Sequence, residues 1–252
     1  MSILNKLKTK ETVEEEKDVL GGGGIMPSGA RDLIIKMAAF HETEKGSIAF
    51  ILQGTFVDGG EYRTTLYTTS GHDKGQSPTY TNDKGTFFLP GYNLANAICA
   101  LTTGLEIADD EFGDMLETKS IGVYSSQAKS EVATDVEVVM DAIGKKITLG
   151  ILHVIENKKD KNPATGKYDI VTNEKREYND LDRVFHEETK VTLVEAKEEK
   201  EEGEFYQKWL DKWDGKPKDT YKPVDGAPSG KSNSAVGNDK APTKKRVFGK
   251  KD

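Results

Sequence analysis

The chain has 252 residues, of which 35% are hydrophobic and 31% charged, with a formal net charge of −7. That is lean for a core running the whole length and predicts a folded domain with disordered stretches outside it. No apolar run approaches the roughly 20 residues of a membrane span, the N-terminus lacks a signal-peptide core, and one cysteine, Cys99, excludes an internal disulfide, so a soluble protein of the reducing cytoplasm is expected.

Residues 1–24 mix charges and end in the run Gly21 to Gly24, which reads as an arm on a flexible glycine linker. A domain is expected over 25–213. It opens with three strand-like runs, "ARDLIIKMAAF", "GSIAFILQGTF" and "GEYRTTLYTTS", the last two joined by the turn signal "VDGG". These predict a meander. The stretch "RTTLYTTSGHDKGQSPTYTNDKGTFFLPGY" then begins as a strand, passes through a polar, glycine-rich hairpin and ends at a helix. In "GYNLANAICALTTGLEI", Leu94, Ala97, Ile98 and Leu101 recur at helical spacing between Pro90-Gly91 and Gly104. Cys99 falls in this run and reads as a buried thiol, not a nucleophile.

Beyond the helix, "DDEFGDMLETKSIGVYSSQAKSEV" is acidic and irregular, and predicts a surface connection with one helical turn around Phe112 to Leu116. Strands are expected over 146–157 and 168–176, around a lysine-rich turn closed by "NPATGK", with Val136 to Met140 as an additional strand. Val191 to Trp213 reads as one charged helix packing through Phe205, Trp209 and Trp213. From residue 214 periodicity vanishes, and 10 Lys and Arg face 5 Asp and Glu. This predicts a disordered basic tail over 214–252 behind an acidic body.

Three strands, a helix and then returning strands predict a mainly β fold with α elements. The expected form is a five-stranded OB-like Greek-key barrel with an inserted hairpin, a helix between strands 3 and 4, and a C-terminal helix.

No catalytic constellation emerges. "GAPSGKS", ending at Ser232, is one residue short of P-loop spacing and lies in the polar tail without a strand before it or a helix after it. His41, His72, His153 and His186 lack metal-ligand spacing, and the carboxylate-rich runs have no matching acid, base or nucleophile. Neither enzyme activity nor a metal or cofactor is expected.

The hairpin stretch carries the binding signal. On its opening strand Leu66 is expected to point inward, which turns Arg63 and Tyr67 outward. Tyr80, Phe87, Lys74 and Lys84 extend that surface. Phe88 and Tyr92, at the helix start, read more readily as pins between hairpin and body. A second cluster, Lys158, Lys159, Lys161 and Lys167, lies on the turn that in an OB barrel flanks the binding face. Bases stack on aromatic rings and cations track phosphates, so rings interleaved with cations suit single-stranded nucleic acid.

The runs "LPGYNLANAICALTTG", "KKITLGIL" and "FYQKWLDKW" with a terminal "FG" resemble a group of single-stranded DNA-binding proteins from tailed bacteriophages. The likeness extends over nearly the whole chain, starting at "LNKLKT". It implies an OB-type barrel that coats and protects single strands during phage replication and recombination, in the host cytoplasm, alongside phage replication or recombination proteins. The chain departs from that group at its end, which reads "KKRVFGKKD" where many such tails are acidic and recruit partners. The alternative is an accessory scaffold that uses barrel and helix as a protein interface.

Overall fold

The computed structural model describes residues 24–125 and 127–224. The expected N-terminal arm, apart from Gly24, and the tail beyond Val224 with its P-loop-like run lie outside the described residues.

Strands β1 (Gly29–Glu42), β2 (Ile48–Phe56) and β3 (Glu61–Tyr67) form the expected antiparallel meander. Leu33 and Ile35 of β1 point into the core, but after a register shift between Ile35 and Met37 it is Ala38 and Phe40 that do so. A one-residue bulge exchanges the two faces of a strand. Here it falls where β1 changes its second neighbour. A short ribbon, β4 (Thr79–Asn82) and β5 (Gly85–Phe88), follows and leads into α1 (Pro90–Thr103). Pro90 starts this helix and Gly104 ends it in a left-handed conformation, as the sequence predicts. Ala95, Ile98 and Cys99 enter the core, and burial pushes the Cys99 thiol up to about 12.

The stretch expected to be an irregular connection is a hairpin. After a 3-10 turn over Asp110–Met115 come β6 (Leu116–Ser125) and β7 (Ser130–Val139), paired along their whole length. The long strands β8 (Lys146–Lys161) and β9 (Tyr168–His186) then form a second antiparallel arm. β1 pairs with β8 through Gly29 to Ile34 and with β7 through Ala39 and Phe40.

The sheet does not close, which corrects the barrel. Among the described residues β3 pairs only with β2 and β9 only with β8, and α1 packs against both strands in the gap. Tyr62 of β3 lies there, and burial, with the nearby Asp180 carboxylate adding, pushes its hydroxyl up to about 12. The helix does follow the third strand, as expected.

The predicted C-terminal helix is two helices, α2 (Leu193–Lys197) and α3 (Glu204–Trp213). Thr192 and Glu195 form a capping box on α2, and the second carboxylate oxygen of Glu195 accepts from Phe205 N at 2.8 Å. One buried side chain thus satisfies the starts of both helices and requires the chain to break between them, with Glu199 at φ 55. The packing stripe of α3 is Tyr206, Trp209, Leu210 and Trp213, whereas Phe205 is exposed. The indole of Trp209 covers Gly150 of β8, where a Cβ would come within 3.0 Å of the ring.

The described structure runs past residue 213, so residues 214–224 depart from the disordered tail expected over 214–252. β10 (Lys218–Asp219) pairs parallel with Val154 and Ile155, along the edge of β8 that β1 leaves free. Asn157 then brackets Lys222, and Asn173 brackets Val224, each through an amide and a carbonyl bond. No helix among the described residues is long and apolar enough to cross a membrane.

Candidate nucleic-acid interface

On β3 burial alternates as the sequence predicts: Leu66 is buried while Arg63, Thr65 and Tyr67 are turned outward, Tyr67 at 59% exposure. Register extends this outward face onto β2, where Ala49 opposes Tyr67, Ile51 opposes Thr65 and Gln53 opposes Arg63. Ala49 and Ile51 are nevertheless buried. The cover comes from the β6–β7 hairpin, whose Ile121, Val123, Val136 and Val138 pack with Met37 and Ala39 of β1. Glu131 of that hairpin reaches Arg63 at 3.8 Å, so the hairpin crosses the meander's outward face.

The link from β3 to the ribbon is pinned, not loose. Ser70 and Ser77 bond each other through backbone and side chain, His72 N donates to Lys45 O, and Gln76 Nε2 donates to Gly46 O. This ties residues 70–77 to the β1–β2 turn and fixes the direction in which the ribbon leaves. At the other end Gly91 lies on the backbone of Tyr67, where a Cβ would stand 2.2 Å from the carbonyl oxygen. Only glycine allows that approach, and it seats the ribbon's root beside Tyr67.

The ribbon has two unlike faces. Tyr80 and Phe87 are cross-strand partners on one, with ring centroids 5.9 Å apart and each residue 43% exposed. Thr81 and Thr86 share a hydroxyl bond on the other, where Phe88 also lies and stacks on Tyr92 at 4.5 Å. The stack joins the ribbon's end to the first turn of α1, but Phe88, at 47% exposure, faces solvent no less than Tyr80 and Phe87. Lys74 ends a 3-10 turn and Lys84 sits at the ribbon's tip. Among the described residues the ion pairs include Lys158, with Glu174, but not Lys74, Lys84, Lys159, Lys161 or Lys167.

The second lysine cluster is arranged differently from the expectation. Lys158, Lys159 and Lys161 belong to β8 itself, and the turn is confined to 162–167, closed by Asn162 N to Lys167 O at 2.7 Å. Glu174 holds the Lys158 ammonium through a hydrogen bond and raises its pKa. Register also separates the two clusters. Tyr67 lies across β2 from His41, near the C-terminal end of β1, whereas the lysine arm runs on beyond Gly29 at its N-terminal end. The structure thus unites Arg63, Tyr67 and the root of the aromatic ribbon on one side and leaves the lysine arm as a distinct patch.

Two exposed tyrosines escape the sequence reading. Tyr168 opposes Lys161 at the arm's tip, and Tyr124 opposes Glu131 on the β6–β7 hairpin. Tyr168 lies at the first position of the strand expected over 168–176, whereas Tyr124 lies on β6, which the sequence reading took for a connection.

Neutralising Lys158, Lys159 and Lys161 together is expected to flatten the plot of log affinity for single strands against log salt by about 0.7 for each phosphate no longer neutralised. Because Lys158 already has a carboxylate partner, the change is expected to come chiefly from the other two. A slope equal to that of the unaltered protein would place the arm away from the strand.

Comparisons of the chain with protein-family models, with curated proteins and with solved structures find no match.

Proposed function

We propose that this protein binds single-stranded DNA with little sequence preference, without enzymatic activity, and coats strands during phage replication and recombination. The observation that carries the reading is the β4–β5 ribbon. It holds Tyr80 and Phe87 as a solvent-facing pair on a ribbon whose tip carries Lys84. A ribbon of four-residue strands gains little stability by itself, and rings left in water add little to a fold. Both features suit a platform for bases. Every base has a π face, so stacking is tolerant of sequence, while Lys74, Lys84 and Arg63 supply charge for phosphates. The order of meander, helix and long hairpin fits an OB-type arrangement left open at β3 and β9, and the motif resemblance to phage single-strand-binding proteins points the same way.

The second reading, an accessory scaffold that holds a protein partner, draws on Val194 and Phe205, which are exposed on the two C-terminal helices. A fluorescence titration of the full chain with single- and double-stranded oligonucleotides at two salt concentrations decides between them. Single-strand affinity that exceeds duplex affinity and falls steeply with salt is expected. Absence of single-strand affinity at low salt would sink the first reading and leave the second.

A further inference from the structure

The β6–β7 hairpin lies over the proposed interface, yet it belongs to neither of the clusters expected to bind DNA. Its root is fixed by two ladder pairs with β1 and by the apolar packing of Val136 and Val138 on Ala39. Its far half adds Val123 to that apolar packing and otherwise reaches the meander through polar groups, Glu131 to Arg63 at 3.8 Å and Ser125 to Glu44. Arg63 and Glu131 are both substantially exposed, and an ion pair that long in solvent holds an arm only loosely.

The charge of the hairpin is the opposite of what a DNA-facing wall would carry. Glu117, Glu131, Asp135 and Glu137 outnumber Lys119 and Lys129. A carboxylate on Arg63 occupies the position in which a phosphate oxygen would be held, since both are anions that guanidinium groups bind in the same way. Directly across the ladder from Glu131 stands Tyr124, 62% exposed. Paired residues have Cβ atoms about 5 Å apart, so Tyr124 and Glu131 share one face of the hairpin.

We propose that the far half of the β6–β7 hairpin is a displaceable wall of the single-strand site. Glu131 holds Arg63 in place of a phosphate in the free protein, and Tyr124 stacks on a base when the strand takes Arg63 over. This rests on the single-strand-binding reading above and adds to it a residue that competes with DNA and a ring that touches it.

The full-length protein and its Glu131→Gln, Tyr124→Ala and Tyr124→Phe variants are titrated with a labelled oligothymidylate at one salt concentration, with thermal midpoints measured alongside. Glu131→Gln is expected to bind about two- to fivefold more tightly, the range that release of an exposed ion pair allows. Tyr124→Ala is expected to bind about fivefold or more weakly, and Tyr124→Phe, which keeps the ring, as the unaltered protein does. Affinity unchanged or lowered in Glu131→Gln, or unchanged in Tyr124→Ala, overturns the proposal while leaving single-strand binding intact. A Tyr124→Phe variant as weak as Tyr124→Ala also overturns it, because the ring would not be what binds. Failure of the unaltered protein to bind at all removes the underlying reading instead.

Discussion

Replacing Tyr80 and Phe87 together by alanine is expected to weaken single-strand binding by at most about 6 kcal/mol, the limit for two independent stacking platforms at about 1 to 3 kcal/mol each. The thermal midpoint is expected to hold, because both rings face solvent and the ribbon they sit on belongs to no buried cluster. Rings 5.9 Å apart act as one surface, so the double loss should fall short of the sum of the single ones. The obvious confounder is that the substitutions melt the ribbon. Thr81→Ala with Thr86→Ala provides the control, since it removes the cross-strand hydroxyl bond from the opposite face and leaves the rings in place. Equal losses in both double variants would show that the ribbon's shape matters and its rings do not.

Trp209→Ala is expected to cost about 3 to 5 kcal/mol of stability, as for other large aromatic truncations in packed cores. The residue is 3% exposed, its ring lies on Gly150 and meets Phe185 edge to face, and its indole N–H donates to Asp182 at 2.8 Å. Asp182 is the extra residue where β9 slips register against β8, between Leu181 and Arg183. The bulge thus supplies the indole with its acceptor. Trp209→Phe separates the two contributions: it keeps part of the packing, removes the donor and leaves Asp182 without that bond, and should cost less than alanine. Chemical denaturation of the three proteins measures this. A loss below about 1 kcal/mol for alanine would mean that α3 is not integral to the fold.

The meander, α1, the inner part of β8 and the outer part of β9 were legible because their local signals agree, whereas the inner part of β9 over 177–186 was not drawn. Leu66 against Arg63 and Tyr67 follows period two, and Pro90 and Gly104 bracket a clear helical stripe. Of the β6–β7 hairpin only the end of β7 was legible, as the strand expected over 136–140, where Val136 and Val138 alternate and are buried. Its tip, near Ala128 and Lys129, contains no glycine, proline or asparagine, and Lys129 takes the left-handed conformation at φ 52 that such residues usually supply. Much of its surface also meets water, which dilutes the apolar pattern. The break between α2 and α3 was hidden for another reason. "EAKEEKEEGEF" is rich in helix formers, and what ends α2 is the tertiary role of Glu195, which no local propensity encodes. The aromatic part of the interface was visible as composition. That it stands apart from the lysine arm depends on strand register and strand length.

The two-sided pairing of β1 bears on how the chain folds as it is made. Ala30 pairs with Gly150, so about 120 residues must follow Ala30 before that edge finds its partner. At about 5 to 20 residues per second, synthesis leaves the edge open for about 6 to 24 s. The β2 strand closes the opposite edge early through a short local turn, but the edge awaiting β8 carries Leu33 and Ile34 with unpaired backbone groups, a template for strand addition by another chain. Pairing across such long sequence separation also slows refolding into the range of milliseconds to seconds. A refolding yield that falls with protein concentration is the expected consequence of a strand made early and completed late.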